Sequence, residues 1–237
     1  MNARQAPALW LVLCGAGVGV FVVVTVFVFE GGQASEAGAA AFDRAFAEFL
    51  VQFRTRALTG RVIELSALGS APVLMVFALF AYVFVLRARD RLGFLHLSVA
   101  LLGAGVLARV IQGMFERDRP DTLLPFVVVT EGSFPSAHLF GAAASYVTFA
   151  FFYARYVPGR IAAASGYVVA SVLILIIGLT RVYLGAHHAT DVIAGIAGGV
   201  AWACLVAAVV SAWYRRTDLE RFPRGQADRT ELFRDRA

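Results

Sequence analysis

The sequence predicts an all-α, polytopic membrane protein, a six-transmembrane-helix bundle with an amphipathic helix in its first outer loop. Three observations carry that prediction. Of 237 residues, 59% are hydrophobic and 16% charged, and the mean hydropathy is +0.74, far from the composition of a soluble domain. Six apolar stretches, at roughly 8–29, 66–86, 93–112, 136–156, 161–180 and 190–213, come close to the length a helix needs to cross hydrocarbon. The polar residues gather at the ends of these stretches.

The first stretch follows Arg4 and is longer than the apolar region of a secretory signal, so it is read as an uncleaved span. After it, Phe42, Phe46, Phe49, Leu50 and Phe53 recur at helical spacing, with Asp43, Arg44, Glu48 and Gln52 between them. This is the amphipathic helix, which either lies flat on the bilayer or packs on the spans. Gly15 with Gly19, and Gly195 with Gly199, have the spacing of small residues that lets helices approach closely. The spans form one membrane domain over 1–214, and the sign-alternating segment 215–237 reads as a solvated tail.

All 21 basic residues are arginines. They lie mainly at span ends and in the tail, where they suit lipid headgroups and not nucleic acid, and the net charge of +5 is read accordingly. Arg87, Arg89 and Arg91, then Arg155 and Arg160, then Arg215 and Arg216 mark the cytoplasmic side. Both termini are then cytoplasmic, and 30–65, 113–135 and 181–189 face outward, although Arg44, Arg54, Arg56 and Arg61 run against the rule. Cys14 and Cys204 fall inside apolar runs and suggest neither a disulfide nor a metal site.

Ionisable residues in or beside spans are costly and tend to mark function. They cluster at 109–120, at 134–138 and at 180–191, and in the six-span order all three clusters emerge on one face. Arg117, Arg119 and Arg181 offer planar cationic donors for phosphate oxygens. Ser136 after Pro135 reads as a helix N-cap whose following amides, at Ala137, His138 and Leu139, form an anion site. His187 and Asp191 are four apart at the start of a helix, so the carboxylate can hold one ring nitrogen as N–H and leave the other as a nucleophile. His138 is then the general acid for the leaving oxygen. His96 and His188 read as structural, His96 through a hydrogen bond between helices. No set of His, Asp and Glu has metal-ligand spacing, so the simplest reading is phosphoryl transfer with neither metal nor other cofactor.

"RDRP" at 117–120, "PSAH" at 135–138, and Arg181, His187 and Asp191 in the pattern R-x5-H-x3-D resemble the signature of the type 2 phosphatidic acid phosphatases, or lipid phosphate phosphatases. The resemblance implies a phosphohistidine on His187 oriented by Asp191, a leaving group protonated by His138, and phosphate oxygens held by Arg119, Ser136 and Arg181. The sequence departs from the pattern at Gln112, where the family has lysine, at Ala137, usually glycine, and at Thr180, usually serine. Gln112 and Ala137 stand at phosphate-binding positions of the motif. The expected partners are a phosphorylated lipid and the surrounding membrane lipids. Two rival functions are transfer of the phosphate or headgroup to an acceptor other than water, and non-catalytic binding of phospholipid.

Overall fold

The computed structural model describes residues 7–30, 32–121 and 132–221, all helix and short connections. Eight helices follow in order: α1 (Pro7–Thr25), α2 (Gly32–Val51), α3 (Arg56–Ala67), α4 (Ala71–Arg87), α5 (Arg91–Gln112), α6 (Ala137–Tyr156), α7 (Arg160–Tyr183) and α8 (Ala189–Arg221). A wider π turn, Val26–Glu30, prolongs α1. Five segments are long and apolar enough to cross a membrane: Pro7–Glu30, Arg91–Gln112, Ala137–Tyr156, Arg160–Tyr183 and Ala189–Tyr214. The second predicted span, 66–86, falls on α4 and the end of α3, two helices bent by 42° at a short break. Pro72, in the first turn of α4, has no N–H to continue the helix before it.

The chain is a multi-pass membrane protein built around α6, which packs on α5, α7 and α8, while α1 lies along α8. Close approach between α6 and α8 depends on two glycines. A Cβ on Gly195 would stand 2.6 Å from the Ser136 carbonyl oxygen, and one on Gly199 would stand 2.3 Å from that of Phe140. With nothing to fend them apart, the backbones meet, and the Ser136 N–H reaches the Asp191 carbonyl at 3.1 Å. The companion pair behaves differently, because nothing lies within 4 Å of a Cβ on Gly15 or Gly19. The contact of α1 with α8 uses Gly17, where a Cβ would come within 2.9 Å of the Ala197 carbonyl.

Helix α2 packs against α7 and α8. Asp43 is buried, Phe46, Ala47 and Leu50 join the core, and Phe42, Phe49 and Phe53 stay exposed. One face of this helix therefore packs on the bundle, as one of the two alternatives had it, while the aromatic residues beside it are left open.

At the opposite end of the bundle from α2, Asp90 ties three helices together. It caps α5 through the Gly93 N–H at 2.9 Å and accepts the hydroxyls of Tyr156 at 2.7 Å and Tyr214 at 2.5 Å, with Arg155 at 3.4 Å. Burial would raise its pKa, but the bonds from Tyr214, Gly93 and Tyr156 and the charge of Arg155 outweigh it and hold the carboxyl below its ordinary 3.8. His96 forms no hydrogen bond there, contrary to expectation; its ring lies 4.7 Å from Phe151 and 5.1 Å from Phe152, between centroids, and neither nitrogen has a partner among the described residues. Cys14 and Cys204 are free thiols. The expected tail begins as helix, since α8 runs to Arg221, and 222–237 lies outside the described residues.

Candidate active site

The ends of α3, α5, α6, α7 and α8 and the connection 113–121 meet at one face of the bundle. His187 sits in the short turn between α7 and α8 and is 3% exposed. Its Nδ1 lies 2.9 Å from the Ser133 carbonyl oxygen. A carbonyl only accepts, so Nδ1 carries the proton and Nε2 keeps its lone pair. Asp191 Oδ2 lies 3.8 Å from the same nitrogen, so the carboxylate acts on His187 as a nearby charge, and the main-chain carbonyl is the nearer acceptor.

Asp191 is fully buried and acts as a hub. It accepts the Ser133 hydroxyl at 2.5 Å and the His188 N–H at 2.8 Å, and Arg117 Nη1 binds its other oxygen. The bond to His188 N–H is the return half of a capping box at the start of α8. Asp191 thus fixes Ser133, whose carbonyl fixes the His187 ring. Burial lowers the pKa of His187 below 6.5, with Arg181 and Arg119 adding to the shift, and the nearby negative charge of Asp191 opposes it only in part. The imidazole is therefore neutral at pH 7.

Two arginines face His187. Arg119 Nη1 is 3.4 Å from Nε2, and its guanidinium also donates to the carbonyls of Ala186 at 2.5 Å and Gly132 at 3.0 Å. Arg181 donates to the Ser66 hydroxyl at 3.2 Å, while its buried Nε has no partner among the described residues. A buried guanidinium N–H is a directed cationic donor of the kind that suits a phosphate oxygen. His138, in the first turn of α6, places Nε2 3.1 Å from the Ser66 carbonyl, which leaves Nδ1 for proton exchange. Ser136 caps α6, its hydroxyl accepting the Leu139 N–H at 3.4 Å, and Ala137 follows it half-buried. The first-turn amides precede the ladder of the helix and point their partial positive charge the same way.

Two residues assigned to phosphate have other work. Arg117 is locked between Asp43, at 2.7 Å, and Asp191, and also donates to the Thr190 hydroxyl at 2.7 Å. Both ends of its fork are thus engaged by carboxylates. Gln112 is buried and donates to the main-chain carbonyls of Gly132 at 2.7 Å and Pro135 at 3.5 Å, bracing the strand of chain that enters α6. Its amide does the bracing that a neutral donor allows, and it does not replace the charge of a lysine. His188 is structural, with Nε2 3.2 Å from the Asp118 carbonyl.

Sequence reasoning missed Ser66, Ser133, Thr190 and the role of Asp43. Asp43 offered a signal: at 100° per residue it shares a helix face with Ala39, Ala47 and Leu50, where a carboxylate has no reason to be unless it is paired. Ser133 stood two residues before the proline of a recognised motif, but serine before a turn is too common to single out.

The PAP2 superfamily model matches residues 93–215. The chain belongs to that superfamily. Phosphatidylglycerophosphatase B of Bacillus subtilis is 36% identical over 96 residues, 40% of this chain and 47% of that protein. Lipid A 1-phosphatase of Rhizobium johnstonii is 32% identical over 126 residues, 49% of this chain and 47% of that one. The matches thus span about half the length of these curated relatives. Among solved structures, the transmembrane PAP2-type phosphatidylglycerolphosphate phosphatase of Bacillus subtilis superposes with a TM-score of 0.70 at 26% identity, covering 80% of this chain and 93% of that one. Aquifex aeolicus LpxE shares the fold, with a TM-score of 0.52 at 21% identity over 71% of this chain and 93% of its own. The match at 93–215 contains His138, Arg181, His187 and Asp191 but not α2 or α3.

Proposed function

We propose that this PAP2 protein is an integral membrane phosphatase that hydrolyses a lipid phosphate or diphosphate through a phosphohistidine. One observation carries the reading: His187 is buried, with Nδ1 held by a carbonyl and Nε2 turned toward Arg119. In the first step Nε2 attacks phosphorus and the bond to the lipid oxygen breaks. His138, entering with Nδ1 protonated as well as Nε2, gives the Nδ1 proton to that oxygen and is left neutral. Arg119, Arg181 and the N-terminus of α6 hold the remaining phosphate oxygens, on which negative charge is spread during transfer. In the second step His138 takes a proton from water, whose oxygen attacks phosphorus. The N–P bond breaks, and His187 and inorganic phosphate are released.

The guanidinium groups supply the positive charge, so no divalent ion is required by these steps. The arginines of the short loops support a reading in which both termini are cytoplasmic and the site lies on the other side of the membrane. The names of the relatives support glycerophospholipid and lipid A phosphates as the substrate class, and polyprenyl diphosphate and phosphatidate share the same reacting group. The test is phosphate release by the purified protein and its His187→Ala variant, with chelator present, across phosphatidylglycerophosphate, phosphatidate, lysophosphatidate, a polyprenyl diphosphate and lipid A. Release that requires His187 and withstands chelator is expected. Release that survives His187→Ala, or that a chelator abolishes and a divalent ion restores, overturns the mechanism.

A further inference from the structure

Asp43 belongs to α2, outside the stretch matched by the family model. It is 3% exposed, deep for a carboxylate on an amphipathic helix. Its Oδ1 accepts the Thr190 main-chain N–H at 2.9 Å, and its Oδ2 accepts the Thr190 hydroxyl and Arg117 Nη2, each at 2.7 Å. Arg117 Nη1 reaches the Thr190 hydroxyl and Asp191 Oδ1. Two buried carboxylates from opposite ends of the sequence therefore share one guanidinium, with Thr190 bridging them.

We propose that Asp43 is a positioning residue for His187, acting through Arg117, Asp191 and Ser133. The relay has four links: Asp43 to Arg117, Arg117 to Asp191, Asp191 to the Ser133 hydroxyl, and the Ser133 carbonyl to His187 Nδ1. Asp43 takes half of the Arg117 fork. Without it, the whole guanidinium charge falls on Asp191 and competes with the Ser133 hydroxyl for that carboxylate. Ser133 is then free to shift, and the carbonyl that selects the His187 tautomer shifts with it. Asp43 also sets a carboxylate at the N-terminus of α8, where the helix dipole favours it. The charged and titratable groups that act on His187 are Asp191 from α8, Arg181 from α7, Arg119 from the 113–121 connection and His138 from α6. Asp43 reaches it from α2 only through Arg117.

A plain structural tie between α2 and the bundle would lower thermal stability and leave the His187 ring as it is. The positioning role predicts a change in the ring itself. The experiment compares wild type, Asp43→Asn and Asp43→Glu in micelles, reading histidine 15N shifts with His187→Gln to assign the signal. Wild type and Asp43→Glu are expected to show His187 as one tautomer, protonated at Nδ1, and Asp43→Asn a mixture of two. In the kinetic arm, which alone rests on the phosphatase reading, Asp43→Asn lowers kcat about 10–100-fold with little change in KM, and Asp43→Glu recovers part of the loss. If Asp43→Asn does not fold, the Asp43→Asn/Arg117→Gln pair removes both charges of the ion pair and is read in the same way. A His187 signal in Asp43→Asn, or in the pair, identical to wild type overturns the proposal. A wild type that releases no phosphate from any lipid, in a protein whose His187 signal still responds to Asp43, overturns the phosphatase reading and upholds this one.

Discussion

His187 Nδ1 stands 2.9 Å from the Ser133 carbonyl oxygen, and the Ser133 hydroxyl stands 2.5 Å from Asp191 Oδ2. One residue thus passes the orientation of the carboxylate to the imidazole. Ser133→Ala keeps the carbonyl and removes the hydroxyl, so the nucleophile survives with a looser support. A fall in kcat of about tenfold is expected, with KM nearly unchanged, as for other residues that orient a reacting group through its partner. Steady-state kinetics beside His187→Ala, which should abolish turnover, checks it.

The buried imidazole also sets the response to acid. Its folded-state pKa lies below 6.5, so the acid limb of kcat/KM should fall below pH 6.5. The sign for stability follows from proton uptake. Below the ordinary value the unfolded chain binds a proton at His187 that the folded protein does not, so stability contributed here falls as pH drops through 6.5 and levels off below the folded pKa. His187→Gln should flatten that part of a melting-temperature profile.

Gly69 presses on the proposed acid. A Cβ there would stand 2.6 Å from His138 Nε2 and 2.8 Å from Ile177 Cγ2. Gly69→Ala should push the His138 ring off the Ser66 carbonyl and cost about 1–3 kcal/mol, typical of overpacking. Turnover should fall more than substrate affinity, and thermal unfolding with kinetics on the same sample separates the two losses.

Asp90, at the other end, should affect stability without affecting chemistry. Asp90→Ala removes the cap of α5 and the acceptor for the Tyr156 and Tyr214 hydroxyls, at a cost of roughly 2 kcal/mol. Turnover per folded molecule should stay at the wild-type value. Because the folded carboxyl sits below 3.8, its contribution is present above that pH and is lost as acid carries the protein through the folded pKa.

Most of the architecture was legible because lipid imposes simple rules. Long apolar runs matched five of the segments directly, while the second, 66–86, took in α4 and only the end of α3, since the bend before Pro72 depends on what α3 packs against. His138, Arg181, His187 and Asp191 were legible because each is an ionisable group at a span end. The duties of Arg117 and Gln112 were not, because sequence spacing does not say which partner a side chain meets first. Arg117 meets Asp43, 74 residues away. Gly17 was passed over for Gly15 and Gly19 for a similar reason, as spacing along one helix is silent about where the neighbouring backbone crosses.

The open stripe on α2 has a consequence for how deep the molecule rides. Phe42 and Phe49 fall within about 20° of one another on α2, with Arg44 and Glu48 turned away from them, and Phe53 follows just past the helix end. A helix faced this way settles where hydrocarbon gives way to headgroups. Asp43, on the same helix, is tied through Arg117 to the hub beside His187. An aromatic face held at that level would hand its depth on through Arg117 to the turn that carries His187, so that a change in bilayer thickness would be felt first at the far rim of the bundle.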